Sequence, residues 1–382
     1  MKKIARLVAA LLCVCMLFTS CAPAETTEEL SADSPKVQNL EKLCKVWGYT
    51  KYNHPAFLLG QKDWDEELLN LIPVVSEAKS DEVNDILHEW FVGLGEIDYG
   101  TSRPGSKPIE SEAVVQADTN WILDEAYLGE ALSADMQKMG PVPKIDRSKA
   151  PVKFSTGQGV PNFKMENTDA GCSYQTEEER LLGLFRVWNA IEYYFPYLDI
   201  MDESWHDLLN EFIPKILEAS DVQSFELTIC EMTAHLHDVH VSLINRQTLY
   251  NAFGKYLAPV NMLRTKEGQW VVSDLFWDCL LQAGDVILKL DGTDIKEVEE
   301  NRKKYISVPN DEKLYDPLCQ YLLSSQDEEM EITVLRDRKE QTYTVKGTTQ
   351  YKYFAKTVET SHEILDGNIG LINPDELSTG DT

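Results

Sequence analysis

Residues 184–220, LFRVWNAIEYYFPYLDIMDESWHDLLNEFIPKILEAS, and residues 235–243, HLHDVHVSL, carry the reading of the fold. Leu181, Leu184, Phe185, Trp188 and Ile191 recur at helical spacing after Thr176-Glu177-Glu178-Glu179, a capping-box start, and Pro196 stops that helix. A second helix from Ser204 presents Trp205, Leu209, Phe212, Ile213 and Ile216, with Pro214 inside the pattern predicting a kink. A third carries Phe225, Ile229, Met232 and Leu236 into a histidine-bearing loop. A degenerate copy lies 141 residues upstream without a gap. Trp47 stands opposite Trp188, Tyr52 opposite Tyr193, Pro55 opposite Pro196, Trp64 opposite Trp205, Leu68 opposite Leu209, Ile72 opposite Ile213 and Pro73 opposite Pro214. One further residue of shift sets Glu96-Ile97-Asp98 against Asp238-Val239-His240, so only the second copy ends in histidine.

The bulk numbers bound the function. A chain of 382 residues, 43% hydrophobic, holds two to three domains with real cores. Its net charge of −28 would repel phosphate, which excludes nucleic acid as a partner. Lys2, Lys3 and Arg6 precede an apolar run from Leu7 to Phe18, a targeting segment too short to span a membrane. The boundary Phe18-Thr19-Ser20-Cys21-Ala22 resembles a bacterial lipoprotein box. It implies lipidation at Cys21 and an extracytoplasmic, membrane-anchored lipoprotein; the alternative is an ordinary secretory signal. Cys44, Cys172, Cys230, Cys279 and Cys319 are scattered and odd in number, neither a disulfide framework nor a zinc pattern, and are expected as buried small hydrophobes.

From about Tyr250 the period changes. Residues 269–273 read as a strand, 284–292 as a strand and turn, 297–304 and 315–323 as helices. Residues 330–336 and 341–345 read as a hairpin around Asp337-Arg338-Lys339. A last strand, 369–373, has no partner in this reading.

The pattern Gly284-Asp285-Val286-Ile287-Leu288-Lys289-Leu290-Asp291-Gly292, with its helix and hairpin, resembles a PDZ domain. A helical unit with Trp, Tyr-x-x-Pro and Asp-x-His, then this module, then Gly367-Asn368-Ile369-Gly370-Leu371-Ile372, resembles the tail-specific (carboxyl-terminal processing) serine peptidases, their tricorn-like branch above all. The resemblance implies an α+β chain: duplicated helical units, a PDZ-like domain and the first strand of a truncated α/β peptidase domain. The boundaries expected are 1–20 signal peptide, 21–33 tether, 34–145 first helical unit, 146–175 linker, 176–247 second helical unit, 248–350 PDZ-like domain and 351–382 start of the catalytic domain. It also implies a serine-type peptidase with His240 as general base, although Val239 stands where that branch has Ser. In the lysine-dependent branch the base lies in the missing domain. No Gly-x-Ser-x-Gly is present, and Ser242 and Ser325 lack a nucleophile's context, so this chain alone is expected to be inactive.

Rival readings stand beside it. The chain could be a non-catalytic lipoprotein that binds peptide or protein C-termini by strand addition, through Phe253, Gly254 and Tyr256 as carboxylate loop and a groove beside Trp270. It could also be a remnant with no activity. His235-Leu236-His237-Asp238-Val239-His240 approximates a zinc motif with Asp and Val exchanged, which spoils the spacing; no metal and no cofactor is called for. His54 reads as a packing residue, and Glu96 and Asp98 as solvating a turn.

Overall fold

Ser34 precedes α1 (Pro35–Asn53), whose first residue has no N–H to leave unpaired. Asp63 accepts from the N–H groups of Asp65 and Glu66 to start α2 (Trp64–Glu77), and α3 (Val83–Gly93) follows. The second set comprises α4 (Glu177–Tyr194), α5 (Trp205–Glu218) and α6 (Val222–Ala234). This computed structural model describes residues 30–100, 117–140, 142–143, 145–155, 159–163, 173–241, 247–349 and 362–372.

The apolar stripes drive one shared core. α1 packs on α2 and α4 on α5; crosswise, α1 meets α5 and α2 meets α4. Trp47 and Trp188 are fully buried, and each indole donates to the carbonyl of the tryptophan 17 residues on, Trp64 at 2.8 Å and Trp205 at 3.2 Å. Where α1 and α4 touch, Gly48 makes room for Asn189: a Cβ there would lie 1.7 Å from Asn189 Oδ1. The Asn189 amide donates to Phe185 O at 2.9 Å and Cys44 O at 3.2 Å. Pro73 and Pro214 both lie inside unbroken helices.

The rest of the chain is helix and antiparallel sheet, which makes the whole α+β. After α7 (Gln247–Phe253) come β1 (Tyr256–Leu257), β2 (Val260–Arg264), β3 (Trp270–Leu275), β4 (Val286–Leu290), β5 (Thr293–Asp294) and α8 (Ile295–Lys303). Then follow α9 (Asp311–Leu322), β6 (Ser324–Ser325), β7 (Glu329–Arg336), β8 (Lys339–Lys346) and β9 (Thr348–Thr349). The main sheet runs β8-β7-β4-β3-β2, with β5 paired to β4; a smaller one runs β9-β1-β6. Asp337 and Arg338 both have positive φ and close the β7–β8 hairpin in two residues, matching the right-handed strand twist. Leu318 and Leu322 of α9 share one buried core with Val260, Trp270 and Ile332. A small cluster of Cys230, Leu249, Tyr250, Leu257 and Tyr321 joins α6 to this part.

Some expectations need correction. The strand at the C-terminal end is not alone: β10 (His362–Leu365) pairs with β11 (Ile369–Ile372). Asp366-Gly367-Asn368 makes the turn, with positive φ at Gly367 and Asn368, and that signal was present in the sequence. The acid of the Thr176 cap turns back to the N–H of Gln175, while the full capping box forms at Asp221 and Ser224. Cys44 and Cys230 are buried as expected; Cys279 and Cys319 are only half-buried, because they sit on a loop and at a helix–strand seam.

Candidate functional site

The helical and sheet-bearing parts enclose a groove of about 1150 Å³. One wall is the loop leaving α6, residues 234–240; another is the segment from Lys303 to Leu314; Phe195 to Glu203 form the third side. The loop is held from a distance, since the Asp238 N–H donates to Ser307 Oγ at 2.9 Å. His237 takes positive φ to turn the chain, and Val241 N closes onto Asp238 O at 3.1 Å.

That turn brings His240 over Asp238. Asp238 Oδ1 accepts from the His240 backbone N–H at 2.9 Å and lies 2.8 Å from its ring Nδ1. The His240 backbone N–H, joined by the ring against an opposing burial, holds the Asp238 carboxyl below its usual range. The His240 side chain is 88% exposed, so the pair sits open to whatever enters the groove. With Nδ1 engaged by a carboxylate, Nε2 is the nitrogen available to take a proton. Val239 is exposed, and the ring contact of His240 is made by Asp238. The partners missed in the sequence are thus Asp238 as orienting group and Ser307 as tether. An Asp two residues before a His in a turn was a usable signal for the first; nothing signalled the second.

The other candidates fall elsewhere. His235 pairs with Glu203, and His237 is exposed. Among the described residues no group of three or more His, Cys, Asp or Glu is placed to hold a metal ion. His54 is fully buried; its Nδ1 accepts from Ala56 N at 3.1 Å, its ring meets Phe91 edge-on, and burial pulls its pKa down to about 4. Asp98 accepts from Gly100 N at 2.8 Å in a turn.

Phe253, Gly254 and Tyr256 are engaged in packing. Phe253 O accepts from Arg302 and Ser324, and Tyr256 pairs with both Ser325 and Thr349. Gly254 has φ of 128°, and a Cβ there would lie 2.3 Å from the Ser325 backbone, so only glycine fits. Trp270 is 1% exposed, its indole donating to Glu299 at 2.8 Å. The Ser325 hydroxyl donates to Asp291 at 3.0 Å, a structural bond. Cys21 and Ser242 lie outside the described residues, among which no helix is long and apolar enough to cross a membrane.

Neither the family models nor the curated proteins compared with it match the chain. Solved structures similar to it include a mutant of CPAF (TM-score 0.35), mature CPAF complexed with lactacystin (0.33) and mature CPAF (0.32). Each is 10% identical, over 44% of this chain and 34% of the other. The chain thus spans about a third of the CPAF chains it matches, a weak and partial structural similarity.

Proposed function

We propose that Asp238 and His240 are the general-base side of a serine-type peptidase site of the tail-specific, tricorn-like kind, on an extracytoplasmic lipoprotein anchored through Cys21. The observation that carries the reading is the 2.8 Å contact between Asp238 Oδ1 and His240 Nδ1 at the edge of a groove large enough for a peptide. In that arrangement Nε2 takes the proton of a serine hydroxyl as its oxygen attacks the scissile carbonyl carbon. Asp238 holds the tautomer and stabilises the imidazolium, which then returns the proton to the leaving amine. The reading calls for a serine hydroxyl within reach of Nε2 and for oxyanion donors opposite it.

Two further assignments belong to this reading. The helical sets are an internal duplication, and the sheet with α8 and α9 is a PDZ-like domain. Its edge strand β2 carries the half-exposed Leu263, which favours binding of a peptide strand as a second reading, although α9 reaches that edge through Cys319 Sγ, 3.5 Å from Met262 O.

The test is reconstitution with a serine-bearing peptidase domain, in cis or in trans. His240→Ala should lower turnover by on the order of 10³-fold or more, and Asp238→Asn should lower it nearly as far with the fold intact. Full activity of His240→Ala would move the base to another residue. Mass spectrometry of the membrane fraction should find a diacylglyceryl-modified Cys21 at the mature N-terminus.

A further inference from the structure

We infer that the groove beside His240 selects extended peptide segments in which apolar side chains adjoin lysine or arginine. This rests on the peptidase reading and specifies its substrate class. The groove is open along one side and about 1150 Å³ in volume, with room for a length of extended chain. Three apolar side chains stand open in it: Tyr197 at 55% exposure, Ile200 at 72% and Val239 at 54%. They belong to two different walls, the turn 197–200 and the His240 loop, and a strand lying between those walls is the occupant that would cover them. That burial is the favourable term in binding.

The charge along the groove decides the neighbouring positions. Asp202, Glu203, Glu211, Glu231 and Asp238 line it, against Lys303 and Lys304. Glu211 and Glu231 are both held by Lys215, with Lys304 at 3.6 Å from Glu231, and Lys303 turns away to Glu300. Asp202 and Glu203 are differently placed. Among the described residues Glu203 pairs with the His235 ring alone, and Asp202 makes no ion pair. Both follow directly on Ile200 and Met201. A cationic side chain beside the apolar contact therefore meets opposite charge, and an acidic one is repelled.

Binding by the purified full chain tests this without needing a nucleophile, so its failure is read separately from failure of the reconstituted peptidase. The probes are three fluorescent octapeptides, blocked at both ends to exclude C-terminal capture, sharing one apolar centre flanked by Lys, Gln or Glu. Affinity should fall in that order, by roughly tenfold from the Lys to the Glu peptide, and the gap should narrow at high salt. Asp202→Asn combined with Glu203→Gln should remove the preference while leaving the Gln peptide bound, and Ile200→Ser should weaken all three. No binding at millimolar concentration, or binding indifferent to Ile200→Ser, would overturn the groove as the peptide site. Equal or reversed affinities would overturn the charge selection.

Discussion

The chain leaves α3 and α6 by the same backbone route. Leu94 and Leu236 are buried, and their N–H groups bond three residues back, to Phe91 at 3.1 Å and Thr233 at 3.2 Å. The next residue turns to positive φ in both places, Gly95 at 102° and His237 at 51°. After that the side chains part. Asp98 closes a simple turn on Gly100, whereas Asp238 grips His240 at the edge of the groove. The exit geometry belongs to the helical scaffold; chemistry is a matter of the three side chains that follow it.

The buried positions make the same point. Counting 141 residues on, Gly48 matches Asn189, Lys51 matches Glu192 and Asp65 matches His206. Where Arg186 of α4 pairs with Asp65 of α2, the matching place has Lys45 of α1 beside His206 of α5, two groups that cannot pair. One half of the seam is thus an ion pair. The other is a half-shielded cluster in which, among the described residues, Glu192, 4% exposed, has His206 Nε2 alone within salt-bridge range, at 3.5 Å. Matching positions in the two sets both pack into the shared core, yet they carry different charges where the sets meet.

The tryptophans test the equivalence most severely. Trp47→Ala and Trp188→Ala should each cost roughly 3–5 kcal/mol by chemical denaturation, since each empties a fully buried site. A large cost at one and a negligible cost at the other would break the comparison.

Titration should separate the two halves next. Burial, opposed by Lys45 and helped by Asp118, raises Glu192 from 4.5 to about 7. A raised carboxyl favours the folded state while protonated, so its contribution is full at low pH. It is lost as pH rises from the ordinary carboxyl value to about 7, by up to about 3 kcal/mol. Glu192→Gln should therefore stabilise the protein at pH 8 and change little near pH 4.5. His54 works in the opposite direction. Its pKa falls from 6.5 to about 4, so its contribution is full above 6.5 and is lost as pH drops through 4. His54→Phe, the residue that the second set has at position 195, should flatten that acid limb. Thermal unfolding across pH 4–9 measures both, and a Glu192→Gln effect that does not vary with pH would remove the buried-carboxylate account.

The smallest effects sharpen the helix exits. His237→Gly should gain up to about 1 kcal/mol by relieving a side chain at positive φ, and Gly95→Ala should lose about as much. Opposite signs confirm that both turns need the same backbone; equal signs would separate them.

The sequence by itself determined the main helices of the two sets and their buried faces, though not α7 or the start of α9 at Asp311. Spacing of Leu, Trp and Ile, together with caps such as Asp63 and Ser204, is local information that neighbouring residues enforce on one another. It also contained the hairpin around Asp337, although the loop there is two residues and not three, and the histidine that ends the second set. Tertiary structure alone decided which groups meet. Ser307 reaches Asp238 across 69 residues, Trp270 finds Glu299 across 29, and Arg302 fastens the Phe253 loop that the sequence offers as a carboxylate cradle. No periodicity encodes such pairings, because they depend on how two separately formed parts dock. The groove itself, with His240 on one wall and the segment after α8 on another, exists only once that docking has occurred.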